Sequence, residues 1–600
     1  MKKHVFKLVV IFCIVHHFSY AQHILKDSND VAWYMSIPQE NVFVHHNTSL
    51  LLTGEYLYYR LYCFNSNSNK LSEVSKIGYV ELIAENGASI FKHKIKLEKG
   101  RGQGDYFVPT SVPSGNYKLL AYTQWMRNGE ENLFFSSDIS IVNPYRGDQS
   151  EIFIVDSESK NNLNNDSKNM NSSSSTNKVS QNQIDDRIMI SPNSKSYANR
   201  SKVSVVIKGL SGINSLGNYS VSVRKIDTII KPIMPIATNY ASLYSSTKSQ
   251  NKEVNDEIFM PEFKGEMITG KIIDKRTMNI VSNKDVTLSI INNESILDIT
   301  TTNENGVFYF HINADYNGDE AILQVLDENP ENYNIEINEH QAIEHQGLNF
   351  NQFKITSDMK DLILERSINN QIQNGYFSVK PDTVKTMVSD PPFYGNHQDE
   401  YLLDDYTRFP TVSETVIEVI EHAWSRKNKA GHKELIVRGR EFDPYFGSEL
   451  LPVVLVDGIF IQNHEDILEY ETKKVKSINV LRDEYYYGSQ IYKGIISMTT
   501  IKGEFHNELS EKYLSKVKLF KPRLRKHYFN QSYMEATKSE TARIPDYRQQ
   551  LLWMPEFVFN TNEKRIEFFT SDTNGIFEIT LEGFTNSGEP VSVKEIITVK

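Results

Sequence analysis

The sequence predicts a mainly β protein: a multi-domain chain of β-sandwiches that includes one small α/β domain. Its 600 residues exceed what a single hydrophobic core supports, so several domains are expected. The chain has 32 Tyr and 31 Phe against 4 Trp, and many of its short runs alternate apolar and polar residues, as strands do. A content of 39% hydrophobic and 24% charged residues is typical of folded globular domains.

Residues 1–21 have the pattern of a signal peptide. Lysines near Met1 precede a short apolar run, and small residues around Ala21 form a cleavage site. The sequence therefore predicts an exported protein, located in the periplasm or associated with the outer membrane. No later run is long and apolar enough for a transmembrane helix. After cleavage only Cys63 remains, so no internal disulfide is expected. The formal net charge of −11 argues against a nucleic-acid partner.

A first β-sandwich is predicted at 22–150. Its β-type runs lie at 42–44, 56–62 and 117–122, and Ser114-Gly115-Asn116 marks a turn before the last of them. The following stretch, 151–187, is rich in Asn and Ser, and from about residue 157 onward it has almost no apolar residues. We expect it to be a disordered linker, because it cannot bury enough surface to fold.

Two further sandwiches are predicted before the middle of the chain. Residues 188–262 contain alternating runs at 202–207 and 219–224. Residues 263–345 contain Asn305-Gly306, a hairpin turn that would direct Phe308 and Phe310 to one face of the next strand.

The α/β domain is predicted at 404–505, after a connecting segment at 346–403. Thr411 and Glu414 form a plausible capping box that opens a helix. Asp457-Gly458 and Gly488 mark turns between strands, where glycine permits a positive φ. The last segment, 506–600, returns to strand patterns and is predicted to be a closing sandwich.

Residues 404–505 resemble the plug domain of TonB-dependent outer-membrane receptors, through the motifs VVLVDG, SINVL and YGSQIYKGIISMTT. In that family the plug lies inside a 22-stranded barrel that follows it. The residues after 505 are too few for such a barrel, so the resemblance implies a plug that serves as an interaction domain.

Other parts of the chain resemble further families. GNYKLLAYTQWMRN in 22–150 and DYRQQLLWMP in 506–600 resemble macroglobulin-type domains of large bacterial envelope proteins, and 188–262 also suits that type. ITGKIID and TNENGVFYF in 263–345 resemble the regulatory β-sandwich of carboxypeptidases, which has no catalytic residues of its own. The resemblances imply a chain built from interaction modules.

Tyr485, Tyr486 and Tyr487 are the candidate partner-contact residues. Three adjacent tyrosines at a turn are large, rigid and amphipathic, which suits a binding surface, although packing against the sheet is the alternative. For Asp457 the structural role of a turn is favoured over ligand contact.

Other charged or ligating groups have simpler interpretations. His45 and His46 point to opposite faces of a strand, which is a poor start for a metal site. The basic run 512–527 could face lipid headgroups or an acidic partner, or could be offset by nearby acids. A solvated linker explains the acidic cluster formed by Asp399, Glu400, Asp404 and Asp405.

The sequence thus predicts a non-enzymatic envelope protein with no catalytic residue, cofactor or metal site. It would be an accessory component of an outer-membrane complex for TonB-type uptake or assembly, with an outer-membrane or periplasmic protein as its partner. The main alternative is a macroglobulin-like, protease-interacting protein in which the linker at 157–187 acts as bait. It would lack a thioester, since Cys63 carries no such motif. An enzyme with an unrecognised site and a secreted protein with a C-terminal sorting tail remain open.

Overall fold

The chain is mainly β, as predicted, and its strands form several small sheets. The computed structural model describes residues 22–129, 133–147, 149, 152–153, 185–244, 251–291, 296–338, 343, 345, 347–385, 394–395, 399–440, 450–488, 490–509, 514–534 and 543–600. The predicted signal peptide and most of the predicted linker lie outside these residues.

The strands of the described residues are numbered in chain order. The first half of the chain contains β1 Gln22–Ile24, β2 Glu40–His46, β3 Leu50–Leu52, β4 Tyr56–Asn65, β5 Ile77–Ala84, β6 Ser89–Lys96, β7 Arg101–Phe107, β8 Gly115–Tyr122, β9 Phe135–Val142, β10 Ile188–Pro192, β11 Ser196–Tyr197, β12 Lys202–Gly209, β13 Gly217–Lys225, β14 Glu257–Phe259, β15 Glu266–Asp274 and β16 Asp285–Ile290. The second half contains β17 Ile296–Thr301, β18 Val307–Ile312, β19 Glu320–Val325, β20 Tyr333–Ile337, β21 Thr383–Val384, β22 Asp399–Leu402, β23 Ala423–Lys427, β24 Lys433–Val437, β25 Val453–Val456, β26 Ile459–Phe460, β27 Val475–Tyr487, β28 Gln490–Thr500, β29 Leu514–Lys518, β30 Pro522–Arg523, β31 Lys526–His527, β32 Gln550–Phe559, β33 Glu563–Phe569, β34 Gly575–Thr585 and β35 Pro590–Val599.

Helices are short and lie mainly between the sheets. The α-helices are α1 Ser28–Ser36, α2 Ala237–Tyr244, α3 Lys360–Gly375, α4 Val412–Glu418 and α5 Glu465–Leu468. Single 3₁₀ turns occur at Trp125–Asn128, Gly212–Ser215, Pro330–Asn332, Ser357–Met359, Phe377–Val379, Leu403–Asp405, Thr472–Lys474 and Phe505–Asn507. Among the residues described, the helices are all too short or too polar to cross a bilayer.

The first sandwich packs the sheet β2-β4-β7 against the sheet β3-β9-β8-β5-β6. Its core is unusually aromatic for its size. Phe43 contacts Phe135 edge to face at 5.8 Å, and it contacts Phe584 at 5.7 Å. Phe584 belongs to β34, near the end of the chain, so the core of the first sandwich is completed by a residue of another domain.

The second sandwich is built from two distant parts of the chain. One sheet has the order β10-β12-β33 and the other β11-β35-β34-β13-β32. Strand β13 lies between β32 and β34, with Gly217 opposite both Phe559 and Thr585. The prediction of separate sandwiches at 188–262 and 506–600 therefore differs from the structure. Each range has strands for only half of a sandwich, and pairing them buries a common apolar core.

The third sandwich covers most of the predicted 263–345 domain, with sheets β18-β15-β20 and β17-β16-β19-β29. Gly306 has φ +66°, as the predicted Asn305-Gly306 turn requires. Phe308 and Phe310 are both fully buried, with ring centroids 5.4 Å apart, so the strand presents them to one face. The resemblance of this sandwich to the carboxypeptidase regulatory domain stays a prediction.

An α/β unit follows at 399–500. Its sheet has the order β22-β27-β28-β25-β26, with α4, α5 and the hairpin β23–β24 beside it. Thr411 caps α4, because its side chain accepts a hydrogen bond from the backbone N–H of Glu414 at 3.3 Å. The unit has the predicted strands and turns, and its relation to receptor plugs stays a prediction.

Residues 514–534, here called the tie segment, pair with the first sandwich, the third sandwich and strand β21. Strand β29 extends the third sandwich beside β19, β30 extends the first sandwich beside β6, and β31 pairs with β21. This part of the chain was predicted to belong to a closing sandwich. Instead its short strands form hydrogen bonds with edge strands that belong to other parts of the chain.

A buried ion pair also links the first and third sandwiches. Lys94 Nζ of β6 lies 2.5 Å from Glu266 Oε1 of β15, with the side chains only 1% and 2% exposed. The hydroxyl of Tyr316 donates to the same carboxylate. A buried, hydrogen-bonded pair of this kind favours one arrangement of the two domains.

Candidate binding site

The three predicted partner-contact tyrosines occupy different environments. Tyr486 is 72% exposed, at the tip of the β27–β28 hairpin. Tyr485 and Tyr487 are partly buried, and the hydroxyl of Tyr487 donates to the backbone carbonyl of Leu297 in the third sandwich. Tyr487 thus joins two domains, whereas Tyr486 is exposed. Contact between Tyr486 and a partner stays a prediction.

The predicted turn residues have structural roles. Asp457 has φ +49° and its carboxylate accepts from the backbone N–H of Thr500 at 2.7 Å and from that of Phe505 at 3.2 Å. Gly488 has φ +61°, and a Cβ there would come within 2.7 Å of Ile299. The turn therefore allows close packing of the α/β unit on the third sandwich.

The two histidines are buried in the first sandwich. His45 Nδ1 lies 2.6 Å from Ser220 Oγ, and His46 contacts Ser137 and the carbonyl of Thr48. Burial lowers the pKa of His45 to about 3 and that of His46 to about 4. Both rings are therefore neutral and hold neighbouring strands together.

The other charged candidates are also accounted for. The acidic residues Asp399, Glu400, Asp404 and Asp405 are exposed, and Asp404 pairs with Arg408 at 2.6 Å. The described part of the basic run 512–527 lies in the tie segment. Its Lys521 pairs with Asp319 at 2.5 Å and its Lys526 with Asp105 at 2.9 Å, so these charges join domains.

A different site lies where the first and second sandwiches, helix α3 and the tie segment meet. It is a cavity of about 160 Å³, here called the interdomain cavity. The residues that line it come from distant parts of the chain: Gly54, Glu55, Tyr56, Tyr58, Arg224, Arg366, Asn369, Asn370, Gln373, Asn374, Phe377, Lys380, Asp382, Tyr528, Phe529, Tyr547, Arg548, Gln549, Gln550, Leu551 and Trp553.

A continuous stack of aromatic rings forms one wall of the interdomain cavity. Phe377 stacks on Tyr56 with centroids 6.1 Å apart, Tyr56 on Tyr58 at 5.6 Å, and Tyr58 on Trp553 at 6.0 Å. The interplanar angles are 14°, 10° and 21°, so the rings are nearly parallel. Tyr56 and Tyr58 share a face because side chains two apart in a strand point the same way.

Helix α3 supplies a polar wall. The lining residues Arg366, Asn369, Asn370, Gln373 and Asn374 recur at the three- and four-residue spacing that places them on one helix face. Asn370 Nδ2 donates to the carbonyl of Thr53 and Asn374 Nδ2 to that of Gly54, both at 3.0 Å. The helix was predicted only as part of the connecting segment 346–403.

Glycine is required at position 54, where this helix meets the first sandwich. Gly54 has φ +88°, and a Cβ there would lie 2.7 Å from Asn370 Nδ2 and 2.9 Å from Asn374 Nδ2. Any other side chain would be strained at this φ and would push the helix away. The turn therefore sets the distance between the aromatic and the polar walls.

Arg366 anchors this helix in a buried ionic network. The side chain is 4% exposed and donates to both oxygens of Glu55, at 2.8 and 2.7 Å, and to Asp227 Oδ2 at 2.8 Å. Burial alone would raise the pKa of Glu55, but Arg366 and Arg224 hold it below its ordinary value. The carboxylate is therefore ionised and fully engaged.

The other cations of the wall also have acidic partners. Arg548 donates to both oxygens of Asp546 at 2.7 Å, and Lys380 lies 3.6 Å from the same carboxylate. Arg224 lies 3.5 Å from Glu55. The cationic side chains that line the cavity thus each lie close to a carboxylate of the protein, which offsets their charge.

Three buried polar atoms of the lining residues have no hydrogen-bond partner among the residues that the structure describes. They are Arg224 Nε, Gln549 Oε1 and Trp553 Nε1. The side chains of Arg224 and Trp553 are more than nine-tenths buried. All three atoms are themselves inaccessible to solvent, although buried polar atoms are usually paired in folded proteins.

Sequence reasoning did not find this site, because its parts are far apart in the chain. The local signals were present: aromatic residues alternate at 56 and 58, and amide residues follow helical spacing from 369 to 374. Nothing in either pattern indicates that the two surfaces face each other.

No protein-family model and no curated protein matches the chain. Among solved structures, the native Escherichia coli alpha-2-macroglobulin is 11% identical over 94% of this chain and 40% of that chain, with a TM-score of 0.22. A Salmonella alpha-2-macroglobulin reacted with methylamine is also 11% identical, over 94% of this chain and 39% of that one, with a TM-score of 0.22. The Escherichia coli adhesin FdeC is 9% identical over 48% and 60%, with a TM-score of 0.14. The chain spans about 40% of the length of the macroglobulins it is similar to, and these TM-scores are too low to establish a common fold.

Proposed function

We propose that this protein is a non-enzymatic binding protein of the bacterial cell envelope, with the interdomain cavity as its ligand site. The observation that carries the proposal is the interdomain cavity itself, in which an aromatic wall lies beside the polar face of helix α3. Phe377, 45% exposed at the outer end of the aromatic stack, offers an accessible ring to a ligand.

The chemistry of the wall supports binding rather than catalysis. Glu55 accepts hydrogen bonds from Arg366, Arg224 and the backbone N–H of Leu52, so neither oxygen is available as a base or nucleophile. Burial raises the pKa of Asp382, but its Oδ1 already accepts from the backbone N–H of Phe529. Serine, threonine, cysteine and histidine do not occur among the described residues that line the cavity.

The envelope location and the partner class come from the sequence. The predicted signal peptide supports export, and the resemblance of 404–505 to receptor plugs favours an outer-membrane or periplasmic protein as the partner of a TonB-type complex. The exposed Tyr486 is the residue of that unit best placed to contact such a partner.

We expect the purified protein to bind washed outer-membrane vesicles of a Gram-negative bacterium through the interdomain cavity. Phe377→Ala removes the ring at the mouth of the stack and is expected to weaken binding about tenfold, as loss of an aromatic anchor does. Co-sedimentation with the vesicles measures the change.

Tyr376→Ala is the matched control, because Tyr376 is adjacent, 40% exposed against 45% for Phe377, and does not line the cavity. Vesicle binding that both variants retain equally would show that the cavity is not the site. Absence of binding by the unaltered protein would remove the envelope-binding proposal altogether.

A second candidate function is interaction with proteases, as the macroglobulin-type resemblance implies. The Asn/Ser-rich stretch of this chain is tied to the folded body at both ends. Ile152 is fully buried, and Arg187 donates to the carbonyl of Pro590 at 2.6 Å.

Limited trypsin digestion separates the two functions. If the protein is a binding protein only, cleavage within 151–187 leaves the two fragments associated, with an unchanged hydrodynamic radius and no retained trypsin. The anchors at both ends of the stretch predict this result. Compaction with trypsin retained after gel filtration would favour the protease-interacting function instead.

A further inference from the structure

We propose that the joint between the first and third sandwiches is a proton-binding site, which holds one proton while the two domains are in contact and releases it when they separate. This site is distant from the α3 wall of the interdomain cavity and does not depend on the proposed binding function. It consists of a buried group of side chains with one more carboxylate than ammonium groups, here called the joint cluster. Its members are Tyr79, Lys94, Glu262, Glu266 and Tyr316.

The joint cluster is assembled from both domains and is sealed from solvent. Tyr79 lies on β5 and Lys94 on β6 of the first sandwich, whereas Glu262 precedes β15 and Glu266 begins it. All members of the cluster are at most 3% exposed. The backbone crosses the joint at the same place, because the N–H of Lys76 donates to the carbonyl of Glu262 at 2.8 Å. Separation of the two domains would therefore expose the cluster to water.

The cluster has one ammonium group for two carboxylates. Lys94 Nζ lies 2.5 Å from Glu266 Oε1, so its charge is paired there. Glu262 instead accepts hydrogen bonds from neutral donors, the hydroxyl of Tyr79 at 3.0 Å and the backbone N–H of Met267 at 3.2 Å. Two like charges that share a buried site are rarely both ionised. The surplus carboxylate is therefore expected to bind a proton.

The electrostatics place the proton on Glu262. Burial raises the pKa of Glu262 to about 7, and the charge of Glu266 acts in the same direction, although Lys94 opposes both. A proton shared by two interacting carboxylates belongs to the pair, but the contact with Lys94 keeps Glu266 in its ionised form. Glu262 is thus the member that changes its charge near neutral pH.

The neighbouring lysines of β6 have other acidic partners. Lys92 Nζ lies 5.8 Å from the centroid of the Tyr79 ring, and the carboxylate that acts on this lysine is Glu81, outside the joint cluster. Lys96 Nζ pairs with Asp315 at 2.6 Å. Neither lysine therefore supplies a second positive charge to the pair of carboxylates.

A second cavity lies against the joint cluster. It has a volume of about 390 Å³ and is situated between the two sandwiches and the tie segment, with Glu266, Tyr316 and Arg523 among its lining residues. A polar cavity of this size can hold water molecules. Protons can therefore reach the cluster from this side while both sandwiches stay folded.

The sign of the pH dependence follows from the two pKa values of Glu262. The pKa is about 7 with the domains in contact and near its ordinary value of 4.5 once the joint is open. Between these two pH values opening releases one proton, so the opening constant rises by up to about tenfold per pH unit. Below about 4.5 both states hold the proton, and above about 7 neither does. The joint is therefore strongest in acid, and this contribution is lost as the pH rises through 7.

Hydrogen exchange of the whole protein at several pH values tests the proposal. Peptides that contain Lys76 and Met267 report on the joint, because the backbone N–H groups of both residues donate to Glu262. Their protection factors, which correct for the intrinsic pH dependence of exchange, should fall at least about tenfold between pH 5 and 7 and then level off. Glu262→Gln imitates the protonated side chain. It should remove this fall and give at least about tenfold higher protection than the unaltered protein at pH 8.

Two further variants separate a proton site from a merely structural residue. Glu266→Gln leaves Glu262 as the carboxylate nearest to Lys94, so the fall in protection should move to lower pH rather than change equally at every pH. Glu582→Gln is the matched control. Glu582 is also 1% exposed, and burial raises its pKa to about 7, but it lies on β34 and accepts from the backbone N–H of Ala237. This control should leave the pH dependence of the joint unchanged.

The unaltered protein alone can overturn the proposal. If the protection factors at Lys76 and Met267 stay the same from pH 5 to 8, the joint binds no proton in this range. A pH dependence that Glu262→Gln retains in full would also contradict it, because the proton would then belong to another group. The vesicle-binding experiment does not bear on either result, so the proposed function and this site can fail separately.

Discussion

Arg366→Met is expected to destabilise the junction between helix α3 and the first sandwich by about 3–5 kcal/mol, the usual penalty for removing one partner of a buried ionic network. In the original protein the Arg366 side chain is 4% exposed and pairs with Glu55 and Asp227. The substitution would leave these two buried carboxylates without that positive charge. The hydrogen bonds of Asn370 and Asn374 are among the contacts with the sheet that would remain. Because the ion pair is lost, the helix is expected to separate from the sheet.

Hydrogen exchange of the α3 amides is the direct measurement, since a loss of this size would accelerate exchange by about 10²–10⁴-fold. Arg440→Met is the control: Arg440 pairs with Asp483 at 3.0 Å, but both side chains are about half exposed or more. An exposed pair contributes about 0–1 kcal/mol. If both substitutions have the same small effect, the network does not hold the helix.

A chain that ends at Met534 is expected to lose the second sandwich completely. Strand β13 would lose both of its neighbours, β32 and β34, and β12 would lose β33. The apolar side chains of β12 and β13 would then have no opposite sheet to pack on. Peptides covering 202–225 should therefore exchange their amide hydrogens as an unfolded chain does.

The third sandwich is the internal control, because β15, β18 and β29 all remain in the shortened chain. Its amides should keep most of their protection. Addition of a separate polypeptide covering 543–600 should restore protection at 202–225. Protection at 202–225 without it would mean that this half folds alone, as the sequence predicted.

Local features of the fold were predictable from sequence, because they depend on neighbouring residues. The alternation of residues at 56–62 predicts the strand that is β4 in the structure. Asn305-Gly306 predicts the turn that precedes β18. Thr411 caps α4 as the capping box indicated. In each case the deciding interaction spans only a few positions.

Long-range features were not predictable in the same way. Gly217 pairs with Thr585, and strand period alone does not tell which distant strand will be its neighbour. The candidate site depends on the same kind of pairing, since Tyr58 and Trp553 stack only after the two sandwiches meet. Helix α3 was missed because its sequence is mostly polar and its stability comes from Arg366 and the amides that face the first sandwich.

The placement of β13 between β32 and β34 has a consequence for how the molecule acquires its structure. A chain that emerges from its N-terminus presents β13 long before either neighbour exists, so the second sandwich is slow to close. The core of the first sandwich also stays incomplete until Phe584 is present. Until the last strands arrive, two sheets have open edges that can pair with other chains. Folding of this protein should therefore depend strongly on chaperones that hold an unfinished chain.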